Sequence, residues 1–156
     1  WSPKEAVSKI EQLEPFNVAL IEQPTQAEDL SGLKFIREHS NLPIFADESV
    51  NRSNGIPRLA NVVDGINIKL SKCGGLLEAI RMIHVARSHN LQVMIGCMIE
   101  SSISITAAAH LTPLVDFADL DGHLLVSNDP YTGVTLNQGK LVLSDRPGIG
   151  IVKRQA

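Results

Sequence analysis

The chain has 156 residues, 44% of them hydrophobic and 20% charged, enough to bury one core and unlike a disordered composition. A formal net charge of −3 gives no electrostatic case for nucleic acid or an anionic membrane as a partner, and no apolar run approaches a membrane span. Two cysteines, Cys73 and Cys97, make neither a disulfide framework nor a zinc signature, so reduced thiols and a cytoplasmic location are expected.

The first element is a helix, with Ser2 as its cap, Pro3 at the first helical position and Glu5 closing a capping box. A chain that opens on Trp1 and a helix cap, without a methionine, is expected to be the later part of a longer one. VALIE (18–22) reads as a strand and residues 27–40 as a helix with Leu30, Leu33 and Ile36 along its apolar stripe. A strand at 43–47 and a short helix at 56–61 follow. The strand GINIKL (65–70) then leads through CGG, a close turn, into the clearest helix, 76–90. A strand at 92–98, a small-residue helix at 101–111 and a strand at 116–121 complete the run. Beyond Gly122 the periodicity breaks into turn-rich sequence with one short strand at 140–143.

Strands alternating with helices in this order predict a parallel sheet joined by right-handed crossovers. Polar residues fall at the carboxyl ends of successive strands: Glu22, Asp47, Lys69 and Asp119, at steps of 25, 22 and 50 residues, the last step spanning two units. An open doubly wound sheet gathers ligands at one switch point, whereas a (β/α)8 barrel collects groups from many strand ends on one face. The pattern therefore predicts an α/β fold of TIM-barrel type. A complete barrel takes about 250 residues, so these five βα units form part of one. Residues 1–122 are expected to be barrel and 123–156 a post-barrel segment.

Lys69 is the residue that most needs a reason. Ile66, Ile68 and Leu70 make one face of its strand, and Asn67 and Lys69 make the other. It either snorkels to solvent or, beside a cation in a dry site, has its pKa lowered and serves as a general base. Glu22 and Asp47 are hard oxygen donors suited to Mg²⁺, or else capping and salt-bridging residues at strand–helix junctions. Asp119 and Asp121, two apart on one strand, share a side and call for a cation: a second metal or a substrate ammonium, unless they serve a turn. Glu48 and Asn67 are expected to support the site from behind, and Glu100 lies just past the 92–98 strand. Lys72 reads as a surface residue, and His84, His89 and His110 read as structural.

Taken in order, IEQP (21–24), ADES (46–49), NIKLSKCGG (67–75), IGCMIESS (95–102) and DLDG (119–122) resemble the enolase superfamily. Within it the resemblance is to the muconate lactonizing enzyme subgroup, and the DxD pair looks most like that of dipeptide epimerases of the L-Ala-D/L-Glu type. The resemblance implies that Glu22 and Asp47 bind Mg²⁺ and that Lys69 exchanges the proton α to a carboxylate through an enediolate. Asp119 and Asp121 would hold the dipeptide's ammonium group. It also implies parts outside these residues: a second lysine on the opposite face, a third metal ligand and a capping domain, toward which 123–156 would return.

The activity expected of the whole is Mg²⁺-dependent dipeptide epimerisation, with little activity from this part alone. Its partners would be a dipeptide or other carboxylate substrate. An open half-barrel exposes strand edges, so self-association into a homo-oligomer is also expected. An N-acylamino acid racemase, a cycloisomerase or an o-succinylbenzoate synthase would use the same lysine and metal ligands. A Schiff-base aldolase would use Lys69 without metal, and an inert metal-binding fragment is a non-enzymatic alternative.

Overall fold

A computed structural model describes residues 1–154. Helix α1 (Pro3–Leu13) starts where its signal lies, and Glu5 Oε2 accepts from the Ser2 backbone N–H at 3.0 Å and the Ser2 hydroxyl at 2.6 Å. Strand β1 (Ile21–Glu22), helix α2 (Leu30–His39), β2 (Ile44–Ala46), β3 (Gly65–Lys69), helices α3 (Leu70–Cys73) and α4 (Leu76–Ser88), β4 (Gln92–Gly96), α5 (Ser102–Ala109) and β5 (Phe117–Ala118) follow. The five strands form one parallel sheet in the order β1-β2-β3-β4-β5. All the strand carboxyl ends therefore lie on one side.

All five strands are shorter than the residue pattern predicts, and for β1, β2 and β5 the reason is local. β1 begins at Ile21 instead of residue 18 because the ladder to β2 starts with Ile21 N–H donating to Pro43 O at 2.8 Å. Pro43 has no N–H to return to the residues before. β2 stops at Ala46 because the next donors are taken by a side chain: Gln23 Oε1 accepts from Asp47 N–H at 3.0 Å and Ser49 N–H at 3.2 Å. β5 ends before the aspartate pair. Asp119 N–H still donates to Ile95 O at 3.0 Å, but Asp121 turns into helical geometry ahead of the 3-10 turn Gly122–Leu125. Asp119 and Asp121 thus lie past the strand instead of on it, although both are exposed with Leu120 buried between them.

The two faces of the sheet carry different layers. Ile44, Ile66, Ile68, Val93 and Ile95 face the helices and pack on Leu33, Ile36, Met82, Ile83 and Ile105. Each such buried aliphatic side chain contributes about 1.5–3 kcal/mol of transfer free energy. The other face holds Phe45, Met94 and Phe117. The Phe45 and Phe117 rings meet edge to face with centroids 5.6 Å apart, although β2 and β5 are three strand spacings apart, about 14 Å in a flat sheet. The sheet is therefore rolled with these rings inside, a half-barrel. Gly65 belongs to this packing, since a Cβ there would lie 2.4 Å from the Phe45 ring.

After the 3-10 turn come β6 (Tyr131–Thr132), the hairpin β7 (Thr135–Asn137) and β8 (Lys140–Val142), and β9 (Val152–Lys153), which pairs antiparallel with β6. Only the β8 region was legible as a strand. Asp129, buried in this segment, accepts from the Ser102 N–H at 2.5 Å and the Tyr131 N–H at 3.0 Å, tying the segment to the start of α5. No helix among the described residues is long and apolar enough to cross a membrane.

Candidate active site

Alternation along β3 sends Gly65, Asn67 and Lys69 into the rolled face, while the neighbouring strands send Glu22 and Asp47 to the same mouth. Lys69 Nζ lies 2.7 Å from Asp47 Oδ2 and 3.5 Å from Glu22 Oε1, between the two carboxylates. Asp47 is 3% exposed at its side chain and Lys69 14%, so these charges meet in a largely dry setting. Asn67, buried, donates through Nδ2 to Glu22 Oε1 at 2.7 Å. Its Oδ1 is buried without a hydrogen-bond partner among the described residues. The amide lies across Gly96 of β4, where a Cβ would fall 2.5 Å from Asn67 Oδ1. The signal for this pairing was present in the sequence: a glycine closes QVMIG where the adjacent strand carries its longest polar side chains.

Lys72 is placed differently from its expected surface role. One turn of α3 follows β3 at once, ended by Gly74 and Gly75 with φ of 96° and 120°. Lys69 is the extended cap residue of that turn and Lys72 the third residue inside it, so the turn carries the second ammonium group back to Asp47 beside the first. Lys72 Nζ donates to Asp47 Oδ1 and Oδ2, both at 2.8 Å, and lies 3.5 Å from Glu48 Oε1. Glu48 therefore touches Asp47 only through Lys72 and is 55% exposed.

Burial pushes the Asp47 carboxyl up, but hydrogen bonds and charge from Lys69 and Lys72 outweigh it and hold the group below the usual aspartate value. Burial likewise pulls the Lys69 ammonium down, and Asp47 and Glu22 reverse this, holding it above the ordinary lysine value. The lowered lysine pKa expected from the sequence assumed a neighbouring cation. With the residues of this chain alone, the carboxylates decide the direction.

Two carboxylates converging on one cationic centre, with a partnerless amide oxygen beside them, form a hard-oxygen donor set. Mg²⁺ is commonly held by one or two carboxylates, with waters and substrate completing its shell, so these residues fit it. Among the described residues no group of three His, Cys, Asp or Glu side chains comes together.

Asp119 and Asp121 open on the same mouth from β5, two strands away from β3, and touch none of this cluster. Neither side chain pairs with a Lys or Arg among the described residues. They line a hollow of about 180 Å³ whose other wall includes Leu124 and, from the β7–β8 hairpin, Leu136 and Leu141. Gly122 lets this corner close on the loop after β4, since a Cβ there would lie 2.1 Å from Met98 O. Cys97 lies beside the pair: burial pushes its thiol up, a hydrogen bond with the Gly122 backbone opposes this, and the Asp119 and Asp121 carboxylates add to the rise. Glu100 ties its loop to α3 and α5, accepting from Met98 N–H at 2.8 Å, from the Ser71 hydroxyl at 3.0 Å and from the Ser104 hydroxyl. Cys73 and Cys97 are free thiols.

A parallel half-barrel with carboxylates and a lysine at its strand ends defines part of a barrel of TIM type, and the chain belongs to a family of that fold: residues 1–156 match the family described as enolase C-terminal domain-like. Among curated relatives, the L-Ala-D/L-Glu epimerase of Bacteroides thetaiotaomicron is 44% identical over 98% of this chain and 40% of its own length. Among solved structures, the L-Ala-D/L-Glu epimerase of Bacillus subtilis in a substrate-liganded complex superposes with a TM-score of 0.91 at 35% identity, over 98% of this chain and 45% of that one. The dipeptide epimerase of Enterococcus faecalis, complexed with Mg and the dipeptide L-Leu-L-Tyr, gives 0.89 at 41% identity, over 97% of this chain and 45% of that one. The chain thus spans less than half the length of the relatives it matches.

Proposed function

We propose that this chain is the carboxyl-terminal barrel part of a Mg²⁺-dependent dipeptide epimerase, with residues 1–122 as barrel and 123–156 as a segment returning toward a capping domain. The observation that carries the reading is the position of Lys69 Nζ between Glu22 and Asp47. Its similarity to dipeptide epimerases, two of them solved with substrate or dipeptide, supports the same reading.

In this reading Glu22 and Asp47 hold Mg²⁺, which when bound supplies charge stabilisation to the substrate carboxylate. Lys69 takes or returns the α-proton on its own face of the substrate, and the β3 strand fixes its Nζ at that height. Inverting the centre needs a second base on the opposite face, which the rest of the protein would contribute. Asn67 keeps Glu22 in place through its 2.7 Å hydrogen bond, and Glu48 acts behind Asp47 through Lys72. Asp119 and Asp121 hold the free ammonium of the dipeptide, because two exposed carboxylates side by side favour a cation between them. That pair separates this reading from an N-acylamino acid racemase, a cycloisomerase or an o-succinylbenzoate synthase, whose substrates carry no such ammonium. The protein is further proposed to work in the cytoplasm as a homo-oligomer.

The test is proton NMR of the full-length protein with Mg²⁺ and an L-Ala-L-Glu or L-Leu-L-Tyr dipeptide in D₂O. Exchange of the α-proton with inversion is the expected result. Turnover of N-acyl amino acids in preference to dipeptides would replace the substrate assignment. Trapping of Lys69 by borohydride with a carbonyl substrate would replace the reaction class.

A further inference from the structure

Asp47 carries more positive charge than an acid–base lysine beside it would require. A carboxylate offers about four lone-pair positions, and Asp47 gives three of its contacts to ammonium groups: one to Lys69 at 2.7 Å and two to Lys72 at 2.8 Å each. Lys69 has a reason to be there in the reading above, since it faces the substrate. Lys72 has none. It comes from outside the strand, on the turn of α3, and grips both oxygens of a side chain only 3% exposed.

We propose that Lys72 is a resident counter-cation of Asp47 that competes with the divalent metal and so sets how tightly the metal binds. The inference rests on the reading that Glu22 and Asp47 hold Mg²⁺. Two positive lysines balance two negative carboxylates, so a dication drawn to Glu22 and Asp47 meets an already neutral set. To share Asp47 it has to loosen Lys72, whose charge repels it across a few ångströms of poorly solvated space. The displaced ammonium has a second perch close by. Glu48 Oε1 is already 3.5 Å from Lys72 Nζ, and Glu48 and Asn51 line an open hollow with it. Lys72 therefore moves from a dry partner to a wet one by a small rotation of its own side chain.

The sign of one measurement separates this role from simple support. A residue that merely holds a metal ligand in place costs about 10–100-fold in metal affinity when removed. A competitor does the opposite. Calorimetric titration of the full-length protein, stripped with EDTA, with Mg²⁺ alone should show Lys72→Met and Lys72→Gln binding about tenfold more tightly than wild type. Lys72→Arg, which keeps the charge, should remain near wild type. Equal or weaker binding by the neutral variants, beside a wild type that binds, overturns the inference and leaves the metal site standing. Absence of Mg²⁺ binding by wild type overturns the metal site itself, and the inference with it. A second measurement needs no substitution: Lys72 in wild type should be acetylated faster by an amine-directed reagent when Mg²⁺ is present, as read by mass spectrometry of its peptide. An unchanged or slower rate overturns the displacement.

Discussion

The two sides of the half-barrel mouth handle charge in opposite ways. At the ends of β1, β2 and β3, every carboxylate of the inner cluster has an ammonium or amide partner from the same chain, and the groups are largely buried. At the end of β5, Asp119 and Asp121 stand exposed with no Lys or Arg beside them among the described residues. The first side is neutralised by the fold itself, so its carboxylates are partnered before anything arrives. The second is complete only when a cation comes from outside. A protein that does chemistry at one side and reads the substrate at the other would be expected to divide its charges in this way.

Removing Lys69 should break the first side most severely. In full-length protein Lys69→Met is expected to lower α-proton exchange at its face by about 10²–10⁴-fold, measured by solvent deuterium uptake, because a positioned acid–base group is worth that much. The second side should respond in binding and discrimination. Asp119→Asn with Asp121→Asn is expected to reduce kcat/KM for dipeptides by about 10–100-fold, the value of hydrogen bonds to a charged group, with Mg²⁺ affinity unchanged by titration. Loss of metal affinity in that double variant would mean that the two sides are not separate.

A finer test adds a methyl group. Gly96→Ala forces a Cβ into the space of the Asn67 amide and should move Asn67 off Glu22, lowering Mg²⁺ affinity by about tenfold as for other outer-shell changes. Melting temperature should fall as well, since overpacking a filled position costs about 1–3 kcal/mol.

The smallest expected effect concerns acid. Burial pushes Asp129 up, but hydrogen bonds from Ser102 and Tyr131 outweigh it and hold its carboxyl below the usual aspartate value. A depressed folded pKa adds stability that is present above the unfolded value, about 3.9, and is lost as pH falls through the folded one. Asp129→Asn should therefore be less stable than wild type at pH 6, and the gap should narrow toward pH 3 in denaturant titrations.

Much of this mouth was legible in the residues. The alternation of Asn67 and Lys69 against Ile66, Ile68 and Leu70 named the inward face of β3 correctly, because a period of two admits only one assignment once one side is apolar. The steps between strand-end charges named the barrel. Lys72 was misjudged because its neighbours read as strand followed by glycine turn, and a single turn of helix leaves too few residues to show a period. Asp121 was misplaced by its pattern, which continued beyond the hydrogen bonds that make a strand. The tie that Asp129 makes to α5 could not have been found, since the Ser102 donor lies 27 residues back in sequence, at the start of another helix.

The contact between Phe45 and Phe117 has a consequence for the direction from which the charged groups can be reached. The two rings lie below the carboxylates and lysines and make an oily floor, so the half-barrel is a cup and not a tube. Over such an apolar floor the field of those charges is weakly shielded from beneath. The depth of the cup is set by ring size at positions 45 and 117, residues that take no part in the chemistry. A smaller side chain at either would lower the floor and admit solvent under the charges, changing their surroundings without altering a single charged atom.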